Sequence, residues 1–160
     1  MKKLLLLACV ALTAAACGGQ KGEKYREIAG LTNLEGVEVR LSTVVEDNEY
    51  TLLDFWASWC PPCMAELPFL KATYDKYHDQ GFEIYGVSYD ENEAAWTGAI
   101  IGEGMNWIHV SSVRGWECPT QELYGVNAIP RNYLIDRKGN IVAMNLRGDA
   151  LEAKLAELMN

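Results

Sequence analysis

The sequence is poor in basic residues and in histidine, and both shortages exclude classes of function. Fourteen lysines and arginines stand against 22 aspartates and glutamates, so the net charge at pH 7 is -8. A protein that binds nucleic acid needs a basic patch, and we therefore expect no nucleic-acid partner. His78 and His109 are the only histidines, and neither they nor the cysteines have zinc-site spacing. We expect no metal site.

Cysteines are few as well, and long apolar runs are missing after the first 16 residues. Five cysteines in 160 residues are too few for a disulfide scaffold. The composition, 49% hydrophobic and 22% charged, is ordinary for a globular chain and argues against disorder. The length suits one domain, and we expect a monomer. No stretch after residue 16 is long and apolar enough to span a bilayer.

The N-terminus has the pattern of an export signal. Two lysines precede the apolar run Leu4–Ala16, which is too short for an ordinary transmembrane helix. Small residues then precede Cys17, as in a bacterial lipoprotein signal, where the cysteine is lipidated. We predict a signal over residues 1–16, a tether over 17–24 and one domain over 25–160. The protein would be extracytoplasmic (periplasmic) and membrane-tethered at Cys17. A plain signal peptide, with an incidental Cys17, is the alternative.

The remaining chain alternates strand and helix patterns, which predicts an α/β fold. The predicted elements are a short hairpin within 25–41, a polar connection over 42–49, strands at 50–56, 82–89 and 107–110, helices at 61–78, 92–101 and 150–159, a helical turn at 117–124, and a hairpin of 132–136 with 140–145.

The most informative motif is Cys60-Pro61-Pro62-Cys63, between a predicted strand and a predicted helix. A helix N-terminus carries partial positive charge and free N–H groups, which stabilise a thiolate. Cys60 is therefore the predicted nucleophile and the more exposed thiol, and Cys63 is the predicted resolving thiol. Structural cysteines or half of a zinc site are the alternatives. Zinc would need two further ligands, and only Cys118 and the two scattered histidines are available.

The residues around this motif resemble the thioredoxin superfamily. The segment 54–63 (DFWASWCPPC) looks like its active-site strand and loop, and 64–68 (MAELP) resembles the continuation in TlpA/ResA-type extracytoplasmic oxidoreductases. The segments 125–130 (GVNAIP) and 133–139 (YLIDRKG) resemble that type's proline loop and hairpin. The resemblance implies a thioredoxin-like fold, with a central mixed sheet flanked by helices, an N-terminal hairpin and a central insertion at about Asp90–Cys118.

The resemblance also implies roles for two acidic residues. Asp54 would accept the proton of Cys63, although a structural acid with satisfied hydrogen bonds is the alternative. Glu66 would lie near the active site and tune it, although a solvated glutamate on the helix face is an equal alternative. Cys118 has no counterpart in the family pattern, and we expect a small buried hydrophobe there.

Five further residues are expected to contact the client protein. By resemblance, Pro130 is a cis-proline beside the cysteine pair, and Ile129 offers backbone groups to an extended client segment. Trp59 is expected to cover the cysteine pair. The dipeptide Pro61-Pro62 completes the expected contact surface.

Together these features predict an extracytoplasmic thiol-disulfide oxidoreductase that needs no cofactor beyond its own Cys60–Cys63 disulfide. Neither residue between the cysteines carries a positive charge to stabilise the thiolate, and Asp54 and Glu66 oppose it, which favours reduction of client proteins. The expected partners are disulfide-containing clients, with cytochrome c maturation one fitting role, and a membrane-embedded electron donor. The alternatives are a thioredoxin-fold peroxidase and a non-enzymatic metallochaperone or binding protein. Ser58 and Trp59 do not match the usual peroxidase loop.

Overall fold

The computed structural model describes residues 23–159, so the predicted signal and most of the tether lie outside the described residues. Its sheet has five strands in the order β3-β2-β1-β4-β5. The strands are β1 (Tyr50–Trp56), β2 (Phe82–Ser88), β3 (Ile108–Ser111), β4 (Arg131–Asp136) and β5 (Ile141–Met144). β1, β2 and β3 are parallel, whereas β4 is antiparallel to both β1 and β5. The sheet is thus mixed, as predicted, with β1 in its middle.

Helices cover both faces of this sheet. They are α1 (Leu41–Asp47), α2 (Pro61–Tyr77), α3 (Glu93–Glu103), α4 (Thr120–Leu123) and α5 (Asp149–Leu158). The two crossovers β1-α2-β2 and β2-α3-β3 run in the same direction across the sheet, and right-handed crossovers then place both helices on one face. α5 packs against α2 on that face. The core lies between the sheet and the helices, and its largest fully buried side chains are Trp96, Tyr85, Tyr89, Phe55 and Phe82.

The polar connection predicted for 42–49 is wrong, because residues 41–47 form α1. Leu41, Val44 and Val45 lie three and four positions apart and are buried on one side of this helix. The polar residues between them face outwards, and they dominate the composition of the segment.

The predicted N-terminal hairpin is also reduced, to a single bridge between Thr32 and Glu38. The turn forms, since the Asn33 N–H donates to the Val37 carbonyl at 2.9 Å. Thr32 cannot extend the hairpin because its N–H and carbonyl are both bonded to Ser111 at the end of β3. The segment therefore continues the edge of the sheet instead of forming a separate ladder.

The other predicted elements are confirmed within a few residues. α2 continues through Pro68, and the hairpin of β4 and β5 forms as expected. The predicted insertion, Asp90–Cys118, contains α3, β3 and a 3-10 turn at Gly115–Glu117. Within residues 23–159, every helix is too short or too polar to cross a bilayer.

Candidate active site

The two cysteines lie at the point where β1 leads into α2. Cys60 occupies the N-cap of α2, and Pro61 and Pro62 fill the first helical positions, where no N–H is needed. Cys60 and Cys63 form a disulfide. The Cys63 N–H donates to the Cys60 sulfur at 3.3 Å, so the helix N-terminus points directly at Cys60. In the reduced protein this contact favours a thiolate at Cys60.

In the oxidised protein both cysteines are buried, and the expectation that Cys60 is the more exposed thiol of the reduced protein stays a prediction. Each of Cys60 and Cys63 is only 3% exposed. The reason is that the Cys60 side chain turns back over the first turn of α2, where it is bonded to Cys63. The two flanking prolines, Pro61 and Pro62, are exposed in its place.

A buried acid that the sequence analysis missed fixes the loop before Cys60. The carboxyl of Asp90 accepts hydrogen bonds from the Ser58 N–H at 3.0 Å and from the Ser58 hydroxyl at 2.5 Å. It also accepts one from the Ser88 hydroxyl at 2.7 Å. Asp90 follows β2 and Ser58 follows β1, and these neighbouring parallel strands bring them together. The sequence signal that could have identified Asp90 is an acidic residue directly after a predicted buried strand.

Asp54 is a buried acid in the middle of the sheet, as the sequence predicted. It is 6% exposed, and burial raises its pKa from 3.8 to about 7. The positive charge of Arg147 and a hydrogen bond with Asn132 on β4 oppose this rise, whereas the negative charge of Glu66 adds to it. Glu66 lies one turn beyond Cys63 on α2, so Asp54 is within electrostatic reach of this helix. Burial thus brings the pKa of Asp54 close to neutral pH.

Arg147 is bonded to the proline loop and acts on Asp54 through its charge, and the sequence analysis missed it. Its guanidinium donates to the carbonyl of Leu146 at 2.9 Å and to the carbonyl of Pro130. The same charge lowers the pKa of Asp54 against the effect of burial. Nothing in the local sequence marks this arginine, which lies in the loop before α5.

Glu66 is not the freely solvated helix residue of the alternative reading. It is half-buried, and its carboxylate accepts a hydrogen bond from the Gly148 N–H at 2.8 Å. Gly148 is the N-cap of α5, so Glu66 ties the active-site helix to the C-terminal helix.

The remaining predicted client-contact residues lie around the same end of the sheet. The Ile129–Pro130 peptide bond is cis, as the resemblance implied. Both residues are half-buried in the loop that enters β4. Trp59 is 52% exposed, and its ring centre lies 6.4 Å from that of Trp116.

Cys118 and the histidines have structural surroundings. Cys118 is buried, and its sulfur lies 3.1 Å from the hydroxyl oxygen of Thr120. His109 is buried beside Trp56, and burial lowers its pKa to about 4, which keeps it neutral. His78 lies at the far end of α2 and stacks on Tyr74. Among residues 23–159, no three histidine, cysteine or acidic side chains are grouped as metal ligands would be.

Comparisons with known proteins agree with this geometry. The model of the Redoxin family matches residues 20–158. The thiol-disulfide oxidoreductase ResA of Bacillus thuringiensis is 29% identical over 129 residues, which cover 81% of this chain and 71% of that protein. The solved thioredoxin domain of a thiol-disulfide oxidoreductase from Bacteroides vulgatus is 34% identical, with a TM-score of 0.80 over 89% of this chain and 100% of that one. A thiol-disulfide oxidoreductase from Bacteroides fragilis is 32% identical, with a TM-score of 0.78 over 85% and 99% of the two chains.

Proposed function

Because the chain belongs to the Redoxin family of the thioredoxin superfamily, and to its ResA-like thiol-disulfide oxidoreductases, we propose that it reduces the disulfides of client proteins outside the cytoplasm. The observation that carries the proposal is the Cys60–Cys63 disulfide at the N-terminus of α2. A dithiol at a helix N-terminus has a nucleophile and a resolving group within one turn, which is what disulfide exchange needs.

The proposed reaction begins with the reduced pair. The Cys60 thiolate attacks one sulfur of a client disulfide, and the other client sulfur leaves as a thiolate that takes up a proton. Cys63 then loses its proton and attacks the sulfur of Cys60, which releases the second client thiol. Two electrons pass to the client, and the Cys60–Cys63 disulfide forms.

Asp54 is the proposed acceptor of the Cys63 proton. A group accepts a proton best when its own pKa lies near the working pH, and burial raises the pKa of Asp54 to about 7. Its strand position, six residues before Cys60, and its interaction with Glu66, one turn beyond Cys63, support this role. Burial is the largest cause of this pKa, while the charge of Arg147 lowers it and the charge of Glu66 raises it.

The direction of the reaction follows from the charges near Cys60. The residues between the cysteines are both proline, and neither can stabilise the thiolate by charge. Asp54 and Glu66 are negative when ionised and oppose it. A less stable thiolate makes the dithiol a better electron donor, which supports reduction.

The cellular setting belongs to the same proposal. The small residues before Cys17 support a lipid anchor at that cysteine and a tether that leads to the domain. Electrons would come from a donor embedded in the same membrane, and the domain would act as a monomer. Cytochrome c maturation is one client pathway compatible with this setting. The peroxidase and metallochaperone alternatives find no support in the geometry of Cys60 and Cys63.

A trapping experiment tests the proposal. Cys63→Ala removes the resolving thiol, so clients should accumulate as mixed disulfides on Cys60 and be released by a thiol reductant. The double variant Cys60→Ala/Cys63→Ala lacks both thiols of the pair and is the matched control. Equal recovery of disulfide-linked proteins with both variants would contradict the proposal.

A further inference from the structure

A cavity of about 370 Å³ opens beside the active-site loop. It is lined by Ser58 and Trp59 from that loop, by Asp90 and Glu91 after β2, and by Trp116 from the insertion. Trp59 directly precedes Cys60 in the chain, so the cavity lies beside the loop that carries the redox site. We call it the tryptophan groove.

Two exposed indole rings define the groove. Trp59 is 52% exposed and Trp116 is 41% exposed, with ring centres 6.4 Å apart and planes inclined by 53°. Trp116 is held in place because it stacks on the buried ring of Tyr89, with centres 5.0 Å apart. Tyr89 is in turn hydrogen-bonded to the Thr120 hydroxyl at 3.0 Å. Two fixed, solvent-facing aromatic faces are typical of a recognition surface.

The charge of the groove has one sign. Its titratable lining residues are Asp90 and Glu91, and none of its lining residues is basic. The carboxyl of Asp90 already accepts hydrogen bonds from Ser58 and Ser88, whereas the exposed carboxylate of Glu91 faces solvent. Glu91 fits closely against Gly115, where a Cβ atom would lie 2.5 Å from its Oε1 oxygen. Gly115 thus lets the carboxylate lie next to Trp116. The partial positive charge of the α3 N-terminus is offset by Glu93 in its first turn.

We propose that the tryptophan groove binds an arginine or lysine side chain next to the client cysteine, which selects basic client segments. The inference rests on the proposed function. A cation over an indole face is attracted by the ring quadrupole, and a carboxylate at the rim adds a charge-assisted hydrogen bond. Trp59 lines the groove and directly precedes Cys60, so a client segment whose cysteine meets Cys60 places a neighbouring side chain beside the groove. The net charge of -8 also attracts basic clients.

The test uses three short peptides that differ only next to their single cysteine. Capped Gly-X-Cys-X-Gly peptides, with X as arginine, leucine or glutamate, carry thionitrobenzoate on the cysteine as a coloured leaving group. Attack by Cys60 on the peptide sulfur releases thionitrobenzoate and forms the mixed disulfide, and Cys63 then releases the peptide. The second-order rate of colour release should be about 5–20-fold higher for the arginine peptide than for the glutamate peptide, the range expected for one cation over aromatic rings beside a carboxylate.

Three variants separate the groove from the general charge of the protein. Trp116→Ala should reduce the preference for arginine over glutamate to within about twofold, and Glu91→Lys should reverse it. Glu91 is exposed, so its substitution should not disturb the fold. The result with Glu91→Lys therefore tests the groove even if Trp116→Ala does not fold. Glu117→Gln removes an exposed acid next to Trp116 that pairs with Arg114 at 3.5 Å and does not line the groove. It should keep the preference.

The outcomes distinguish this inference from the proposed function. No colour release from any peptide would contradict the reductase itself. Equal rates for the three peptides, or a preference that Glu117→Gln removes as much as Glu91→Lys does, would overturn the groove while leaving the reductase intact. A preference for leucine that Trp116→Ala abolishes would show an apolar subsite and would equally overturn the basic-client assignment.

Discussion

At the scale of single residues, the proposed chemistry depends on the protonation of Asp54. The acid is buried on the central strand, and burial raises its pKa to about 7 while Arg147 opposes the rise. A carboxyl with this pKa can take a thiol proton near neutral pH and still release it to water afterwards. Two predictions follow from the same residue, one for kinetics and one for stability.

Asp54→Asn should slow the resolving step by about 10–100-fold, because it keeps the shape of the side chain and removes the base. The first attack by Cys60 should change much less. Stopped-flow reduction of a model disulfide, followed by the fluorescence of Trp59, separates the two steps. In the wild type the resolving rate should rise with an inflection near pH 7, and in the variant this inflection should be absent.

The matched control for this kinetic prediction is Glu83→Gln. Glu83 is also buried, and burial likewise raises its pKa, but it lies at the start of β2, where its carboxylate contacts Tyr74 and the Ile84 N–H. It should leave the resolving rate unchanged. A resolving rate that is the same in Asp54→Asn as in the wild type would make Glu66 the better candidate for the base.

Asp54→Asn should also stabilise the oxidised protein at alkaline pH. The folded pKa of about 7 lies above the ordinary 3.8, so the folded state binds more protons than the unfolded state between these values. Wild-type stability should therefore fall as pH rises from about 4 to about 7. Above about pH 7, ionisation of Asp54 should lower the stability no further. At pH about 8 the variant should be more stable by up to about 4 kcal/mol. Urea unfolding at several pH values checks this, and parallel curves for both proteins would contradict it.

The sequence predicted the residues whose partners are close along the chain. Cys60, Cys63 and the two prolines form one local motif, and Asp54 stands out because it interrupts an apolar strand. Arg147 could not be predicted, because its effect on Asp54 and its bond to Pro130 arise only when the loop before α5 folds against the start of β4.

At the scale of structural elements, the loop between β1 and α2 is held by a neighbour 32 positions away. Asp90 accepts both polar hydrogens of Ser58, so it positions the backbone that leads to Cys60. Such a contact depends on the pairing of β1 with β2, and periodicity along the sequence carries no trace of it.

Asp90→Ala should destabilise the protein by about 2–4 kcal/mol, because the Ser58 and Ser88 groups lose their buried acceptor. The rate of Cys60 attack should fall as well, since the loop is no longer fixed. Ser58→Ala removes one of these bonds and should cost only about 1 kcal/mol. Urea denaturation of the oxidised proteins measures both, and equal stability of Asp90→Ala and the wild type would show that other contacts hold the loop.

The element boundaries show the limits of pattern analysis. The strands and α2 were predictable because apolar residues dominate them, whereas α1 was missed because three buried residues, Leu41, Val44 and Val45, were hidden in a polar segment. The N-terminal hairpin failed because the competing partner of Thr32, Ser111, lies on a distant strand.

At the scale of the whole molecule, the domain is proposed to work at a membrane surface. Cys17→Ser should release the protein into the soluble fraction, because the lipid anchor is then lost. Membrane fractionation with mass analysis of the N-terminus measures this. A wild-type protein that is already soluble, with an unmodified Cys17, would contradict the lipoprotein assignment.

The central claim is that the reduced protein exchanges disulfides with its clients and that Cys60 makes the first attack. The most direct measurement is the intact mass of reduced Cys63→Ala and reduced Cys60→Ala after each has been mixed with a peptide disulfide near neutral pH. The account predicts a stable mixed disulfide, one peptide per protein, on Cys63→Ala within the mixing time and very little on Cys60→Ala. Faster adduct formation on Cys60→Ala would reverse the assignment of nucleophile and resolving thiol and contradict the mechanism.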